Sequence, residues 1–470
     1  MSAALIEALK AVVGTNAVIT DVVDLAPHLI EERGLYHGTS PALVKPANTL
    51  EVAEIVKICA DHNIPVVAHG GNTGLVGGGV PDGAVIISLS RMNKILTVDP
   101  VNLTLEVEAG AILANVQAAA EDAGAYFPLS LAAEGSCQIG GNLSTNAGGV
   151  HVVRYGNARQ LVLGLEVVLA DGRIWDGLRG LRKDNTGYEL KELFLGSEGT
   201  LGIITKAVLR LSPKLHSKTV ALAGCQSFNQ ALELFQIARK RAGDVLMACE
   251  AMSGFAVSLV EKHIDGAASP LEGHHPCYVL LELGSTNADS NLFDVMEATL
   301  TDAFEAAVIE DAVIAQSGQQ AEQLWKIRES IPEAQKHEGG SIKHDIAVPV
   351  SKTPDMITRA TELVENLIPG VRVVAFGHLG DGNIHFNLTQ PEDIDKKEFL
   401  SHWHAVNEKV HDLVTSMNGS FSAEHGIGQL KTGEMARLKS SVELDLMRTL
   451  KAALDPQNLL NPGKVIPPIE

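Results

Sequence analysis

Val66-Val67-Ala68-His69-Gly70-Gly71-Asn72-Thr73-Gly74-Leu75-Val76-Gly77-Gly78-Gly79 joins a short apolar run to a loop dense in glycine. The apolar part, opened by Pro65, reads as a buried strand over 65–68. Glycines at 70, 71, 74, 77, 78 and 79 permit positive φ and let backbone N–H groups approach an anion, as a pyrophosphate cradle requires. A second run extends from Phe127-Pro128 through Glu134-Gly135-Ser136 and Ile139-Gly140-Gly141-Asn142 to Thr145-Asn146-Ala147-Gly148-Gly149. Its small residues, amides and hydroxyls suit a backbone threaded past a bound polar cofactor. The plainer reading, a series of structural turns, explains one such run better than two. Neither run has the GxGxxG spacing of a nicotinamide-binding Rossmann unit or the GxxxxGK[ST] spacing of a phosphate loop, so both are disfavoured.

Outward from the first run, periodicity predicts a helix over 49–62 with Val52, Ile55, Val56 and Cys59 inward, strands over 84–89 and 103–107, and a helix over 113–123. A central strand is expected over 161–169, turning through Asp171-Gly172 into 173–175. A close-approach loop at 191–205, with Gly196, Gly199 and Gly202, leads into a strand over 203–210, and Pro213 marks a boundary. Beyond it, strands over 219–223 and 277–283 alternate with helices over 229–241, 292–304 and 319–336, an α+β pattern. A last helix is expected over 433–454, ended by Asp455-Pro456. The expected organisation is a helical N-terminal segment at 1–35, a cofactor domain at 36–214, a substrate domain at 215–418 and a segment at 419–470 that returns to the cofactor.

The 470 residues hold 57 acidic against 37 basic side chains, a formal charge of -20, which argues against binding a nucleic acid backbone. Any lysine or arginine that binds an anionic substrate must work against that field. Five cysteines without CxxC spacing indicate a reducing compartment and exclude a zinc-thiolate reading. The first twenty residues mix Glu7 and Lys10 with short apolar stretches and give no secretory signal, so a cytoplasmic protein is expected.

The sharpest chemical signal is Gly377-His378-Leu379-Gly380-Asp381-Gly382-Asn383-Ile384-His385-Phe386-Asn387. Its glycines place His378 in or beside a turn, and period-2 alternation puts His385 and Asn387 on one face of a strand. Ser422-Ala423-Glu424-His425-Gly426 adds a carboxylate and another imidazole. His378, His385 and Glu424 make a plausible divalent-metal set with open positions, whereas the spacing is not the HExxH of a metalloprotease. The alternative is that both histidines are hydrogen-bonded turn and strand residues. Arg328 and Lys343 are either solvated charges or binders of substrate carboxylates, and periodicity does not decide between these.

From about residue 35 to its end, the chain resembles the D-2-hydroxyglutarate dehydrogenases of the vanillyl-alcohol-oxidase (PCMH) type of FAD-dependent oxidoreductases. The resemblance rests on both glycine runs, Arg182-Lys183-Asp184-Asn185-Thr186-Gly187-Tyr188, Gly196-Ser197-Glu198-Gly199-Thr200-Leu201-Gly202, the two histidine stretches, and Asp455-Pro456 through Asn461-Pro462-Gly463-Lys464. D-lactate dehydrogenases and the glycolate oxidase flavin subunit share many of these stretches and remain alternatives. So does a non-catalytic FAD-binding subunit, although the Glu424-His425 pair argues against it.

The implied fold is α+β: a PCMH-type FAD-binding domain of two α/β subdomains, an α+β substrate domain and a C-terminal helical segment. Gly70, Gly71, Asn72, Thr73, Val76 and Gly77 would cradle the FAD pyrophosphate. Gly135, Ser136, Gly140, Asn142, Thr145 and Ala147 would meet the flavin and ribityl chain, Gly202 and Ile203 the adenosine half, and Asn461 the flavin edge; Gly74, Pro128, Gly141 and Glu198 belong to the same set. Asn72 stands near the position where covalent members carry histidine, which implies non-covalent FAD, with His69 close by. The resemblance further implies zinc, or else manganese or iron, on His378, His385 and Glu424, His425 as general base, and Asn387 orienting the substrate. Arg328 would grip the C1 carboxylate and Lys343 a distal one. Pro332 stands where a related enzyme has a threonine hydroxyl, a loss that could admit D-malate. An electron-transfer flavoprotein or a quinone is the implied electron acceptor, and a homodimer the implied assembly.

Overall fold

Asn48 accepts the Glu51 N–H on Oδ1 (3.0 Å) and starts the helix Thr49–Asp61, whose Val52, Ile55, Val56 and Cys59 are buried. Asn63 then adopts a φ of 53° and turns the chain into the strand Val66–His69. The computed structural model describes residues 3–468; residues 1, 2, 469 and 470, the outer ends of the expected terminal segments, lie outside the described residues. The chain divides into two units, one of residues 1–148, 157–214 and 424–470, the other of residues 149–156 and 215–423.

The first unit holds two main sheets. A four-stranded sheet is ordered Val18–Ile19, Leu43–Val44, Val85–Ser88, Val66–His69, and the last three strands are parallel. Residues 18–19, expected within the helical N-terminal segment, instead form a strand that completes a sheet edge. A five-stranded antiparallel sheet is ordered Ile95–Asp99, Thr104–Glu108, Ile203–Arg210, Val162–Val168, Ile174–Gly177. Its centre is Ile203–Arg210, the third strand of the five in order, and Val162–Val168 lies one place out. Gly172 makes the expected turn with a φ of 76°, its N–H donating to the Leu169 carbonyl (2.9 Å). The C-terminal stretch contributes two helices, Thr432–Leu438 and Ser441–Leu454, where one was expected. Ser440 and Glu443 form a capping box that starts the second helix afresh.

In the second unit a seven-stranded antiparallel sheet is ordered Asp311–Ile314, Ser217–Cys225, Cys277–Ser285, Leu246–Ser253, Arg372–His378, Asn383–Thr389, Ser341–Ala347. One face packs on the helices Phe228–Ala242 and Leu292–Glu305 towards one end and Thr353–Leu367 and Trp403–Ser416 towards the other. The other packs on Gly254–His263, Gly318–Glu329 and Ile331–Lys336 through Val220, Leu222, Met252, Leu280, Val374 and Phe376. The single helix expected over 319–336 is two, since Pro332 lacks the N–H that would reach the Arg328 carbonyl. The strand Leu246–Ser253 was not expected: it is buried on both faces, so its residues show no alternation of polarity. Residues 149–156 join this unit through His151, whose Nε2 lies 3.2 Å from Glu282 Oε1, and Arg154, whose Nη1 donates to the Gly284 carbonyl (2.6 Å).

Candidate functional site: a glycine-lined cavity and a polar sheet face

The two glycine runs enclose a cavity of about 300 Å³ within the first unit, which Glu198, Glu424, His425 and Asn461 also line. The runs lie back to back: a Cβ on Gly71 would stand 2.3 Å from the Ser136 carbonyl oxygen, so only glycine fits there. Behind the first run, His69 is buried, and its Nε2 donates to the Gly79 carbonyl (2.7 Å). Burial drives the imidazole pKa down to about 4, against the upward pull of that hydrogen bond.

Glu198 ties the loop that follows His425 to the cavity wall. Its carboxylate accepts the Ile427 N–H (2.6 Å) and the Gly428 N–H (2.8 Å), and a Cβ on Gly426 would lie 2.6 Å from Oε1. Burial raises the Glu198 carboxyl above its usual range despite these two donors. Its carbonyl accepts from Asn461 Nδ2 (2.8 Å), which also donates to the Gly78 carbonyl (2.9 Å). Asn461 is delivered by chain pairing: Val66 N–H donates to the Leu459 carbonyl (2.9 Å), and Asn461 N–H donates to the Val66 carbonyl (2.8 Å). Lys451 and Asp455 pin this return. Lys451 Nζ donates to Asp455 Oδ2 (2.6 Å), the Leu460 carbonyl (2.7 Å) and the Thr200 carbonyl (2.8 Å), while Asp455 accepts the Leu459 and Leu460 N–H groups.

In the second unit, strand register collects the polar residues. Glu250 pairs with His378, Phe376 with His385, Asp345 with His385, and Lys343 with Asn387, so all share one sheet face. The His378 and His385 rings stand 5.8 Å apart, nearly perpendicular at 84°. His378, expected in or beside a turn, is the last residue of the strand Arg372–His378. His385 Nδ1 lies 3.9 Å from Asp345 Oδ1, which itself accepts from Asn383 Nδ2 (3.0 Å). Asn387 Nδ2 donates to Gln335 Oε1 (3.0 Å), and Gln335 Nε2 donates to Thr389 Oγ1 (2.9 Å). Arg328 reaches this face from the helix Gly318–Glu329, its Nε donating to Glu250 Oε2 (2.6 Å) and its guanidinium lying 4.7 Å above the Phe376 ring.

Comparison with known proteins adds the family. The profile of the FAD linked oxidases, C-terminal domain, matches residues 214–465, and that of the FAD binding domain matches residues 40–177. The chain belongs to the FAD-linked oxidases. It is 39% identical over 459 residues to a mitochondrial D-2-hydroxyglutarate dehydrogenase of Arabidopsis thaliana, covering 97% of this chain and 80% of that one. It is 36% identical over 463 residues to a D-2-hydroxyglutarate dehydrogenase of Stutzerimonas stutzeri, covering 98% of each. Among solved structures, p-cresol methylhydroxylase with bound substrate shares the fold, with a TM-score of 0.77 at 19% identity over 99% of this chain and 96% of that one.

As an FAD-linked oxidase, the chain is an FAD-dependent oxidoreductase of α+β fold, and its cavity suits that cofactor. Gly74 and Gly141, which line the cavity, leave open the space a Cβ would take. Gln138 Oε1, Asn461 Oδ1 and His69 Nδ1, on residues of the same lining, are buried without a hydrogen-bond partner among the described residues. One expectation is corrected. Plant and animal relatives are named as mitochondrial, which points to the mitochondrion rather than the cytoplasm. Cysteine spacing indicates only a reducing milieu, and that does not separate these compartments.

Most residues expected at FAD line the cavity, but Pro128, Gly135 and Ser136 do not; Ser136 abuts the first run from behind. Sequence reasoning missed Glu250, Gln335, Asp345 and Lys451. Glu250 carried a signal: it is the one charge in Leu246-Met247-Ala248-Cys249-Glu250-Ala251-Met252, and a carboxylate inside an apolar strand is rarely buried without a partner.

Proposed function

We propose that this enzyme oxidises D-2-hydroxyglutarate to the 2-oxo acid and passes the electrons to an external acceptor, an electron-transfer flavoprotein or a quinone. One observation carries the reading: Glu424 and His425 line the same cavity as the two glycine runs, so an acid–base pair faces the FAD site. The names of the relatives at 39% and 36% identity support the substrate.

His425 takes the proton of the substrate hydroxyl, a task suited to an imidazole with a reference pKa of about 6.5. Asn387, its Nδ2 engaged by Gln335, offers its Oδ1 to that hydroxyl. Arg328 binds the C1 carboxylate, and Lys343, cross-strand neighbour of Asn387, binds the distal one. Bound FAD supplies the two-electron acceptor for the hydride that leaves C2. It is held without a covalent bond: residue 72 is an amide whose Nδ2 donates to the Ile30 carbonyl (3.0 Å), and His69 Nε2 is committed to Gly79.

His378 and His385, adjacent on one sheet face, together with Glu424 form a donor set suited to zinc, manganese or iron. Glu424 directly follows Ala423, whose N–H donates to the Asp345 carbonyl (3.2 Å). A divalent cation there would supply Lewis acidity that lowers the pKa of the substrate hydroxyl.

Anaerobic loss of visible flavin absorbance tests the substrate. D-2-hydroxyglutarate should bleach the purified enzyme faster than D-malate, D-lactate or glycolate at equal concentration. Faster bleaching by D-lactate would remove the role given to Lys343 and replace the diacid reading. Faster bleaching by D-malate would keep a diacid and assign the shorter reach to Pro332.

A further inference from the structure

Glu250 is fully buried at the middle of the second unit's sheet, and its Oε1 has no hydrogen-bond partner among the described residues. A carboxylate in that state is costly, and a buried ion pair is in general no better for stability than apolar residues of the same volume. Fold stability alone therefore does not account for it. What Glu250 does is visible in its one strong contact. Oε2 accepts from Arg328 Nε (2.6 Å), not from the terminal fork of the guanidinium. The Phe376 ring lies against one flat side of the same group, 4.7 Å from its central carbon, and Arg328 is itself buried. A guanidinium held at Nε by a charge and on its face by an aromatic ring has one rotational setting. Its Nη1 and Nη2, which make no hydrogen bond among the described residues, stay together as the pair that matches a carboxylate.

We propose that Glu250 is a positioning residue for substrate binding, and that it acts by fixing the Arg328 guanidinium with its two-nitrogen edge presented to the substrate carboxylate. The inference rests on the reading of Arg328 as the carboxylate-binding residue. Pre-set in this way, Arg328 loses little side-chain freedom when the substrate arrives, and the carboxylate meets a fork already in plane. The negative charge of Glu250 also balances that of Arg328 before substrate binds, so the cation need not find a counter-ion elsewhere in the buried site.

The test is a double-mutant cycle on the flavin-loaded enzyme with D-2-hydroxyglutarate. Glu250→Ala should raise KM by about tenfold with kcat changed by less than about twofold, since a binding interaction common to ground and transition states is lost. Glu250→Gln, which keeps an acceptor for Nε, should recover most of that loss. Arg328→Ala should raise KM at least as much, and adding Glu250→Ala to it should cost nothing further. Additive effects in the cycle, or a fall in kcat and thermal stability with KM unchanged, would overturn the proposal and leave Glu250 a packing residue. Should Glu250→Ala not fold, Glu250→Met, which fills the same volume without an acceptor for Nε, takes its place in the cycle and is read in the same terms. If Arg328→Ala alone leaves KM unchanged, the carboxylate-binding reading of Arg328 fails first and takes this inference with it.

Discussion

Lys451→Met removes the cation that pins the C-terminal return against the wall of the glycine-lined cavity while keeping most of the side-chain volume. The side chain is 14% exposed and makes three hydrogen bonds, to the Asp455 carboxylate and to the carbonyls of Thr200 and Leu460. Burial lowers the pKa of this ammonium, and Asp455 works against that effect, so the pair is interior rather than a solvated surface bridge. Breaking a buried pair by deleting one partner costs about 3–5 kcal/mol. Here Asp455 keeps two backbone donors, the N–H groups of Leu459 and Leu460, so its charge is not left bare. The expected loss is then about 2–3 kcal/mol. For a unit of this size that lowers Tm by roughly 5–10 °C. Asn461 lies six residues beyond Asp455 and reaches Gly78 and Glu198, so loosening the return should also weaken FAD retention. Thermal unfolding with and without added FAD, and titration of FAD into the stripped enzyme, measure both effects. A variant with unchanged Tm and FAD affinity would refute the claim that this pin positions Asn461. An equal loss in Asp455→Asn, with none beyond it in the double variant, would establish the two side chains as one device.

Two further outcomes follow from the site. His69 titrates at about 4 in the folded chain against 6.5 ordinarily, so between these values the unfolded chain binds a proton that the folded one does not. Stability should therefore fall as pH drops from 6.5 to 4, and His69→Gln should flatten that limb in an acid-denaturation series followed by FAD release; an unchanged limb would dissociate His69 from it. His385→Ala should abolish bound divalent metal, measured by elemental analysis, while the visible flavin spectrum is retained. Full metal content in that variant would remove His385 from the ligand set.

The elements that sequence reasoning located share one property: their signal is local. The helix at 49–61 shows an inward stripe, although its cap is Asn48 and not Thr49 as the sequence suggests, and the glycine runs show where backbone can approach a ligand. Breaks within a helix were legible in principle as well. Pro332 removes a helical N–H, and Ser440 with Glu443 spells a capping box, yet the apolar periodicity runs through both points and masks them. The strand Leu246–Ser253 had no such signal, because burial on both faces erases alternation.

The sequence by itself determined that this chain carries two glycine runs, whose backbone permits close approach of a ligand, and places imidazoles and carboxylates beside glycine. Those are properties of residue type and spacing, and they survive without a fold. Only the tertiary structure decided what each group faces. Glu250 meets Arg328 across 78 residues, Lys451 meets Thr200 across 251, and Glu198 meets Gly428 across 230. Spacing in the chain carries no information about such pairs, since they form only when strand register and chain return bring distant residues into one low-dielectric interior, where an unpaired charge is too costly to leave alone.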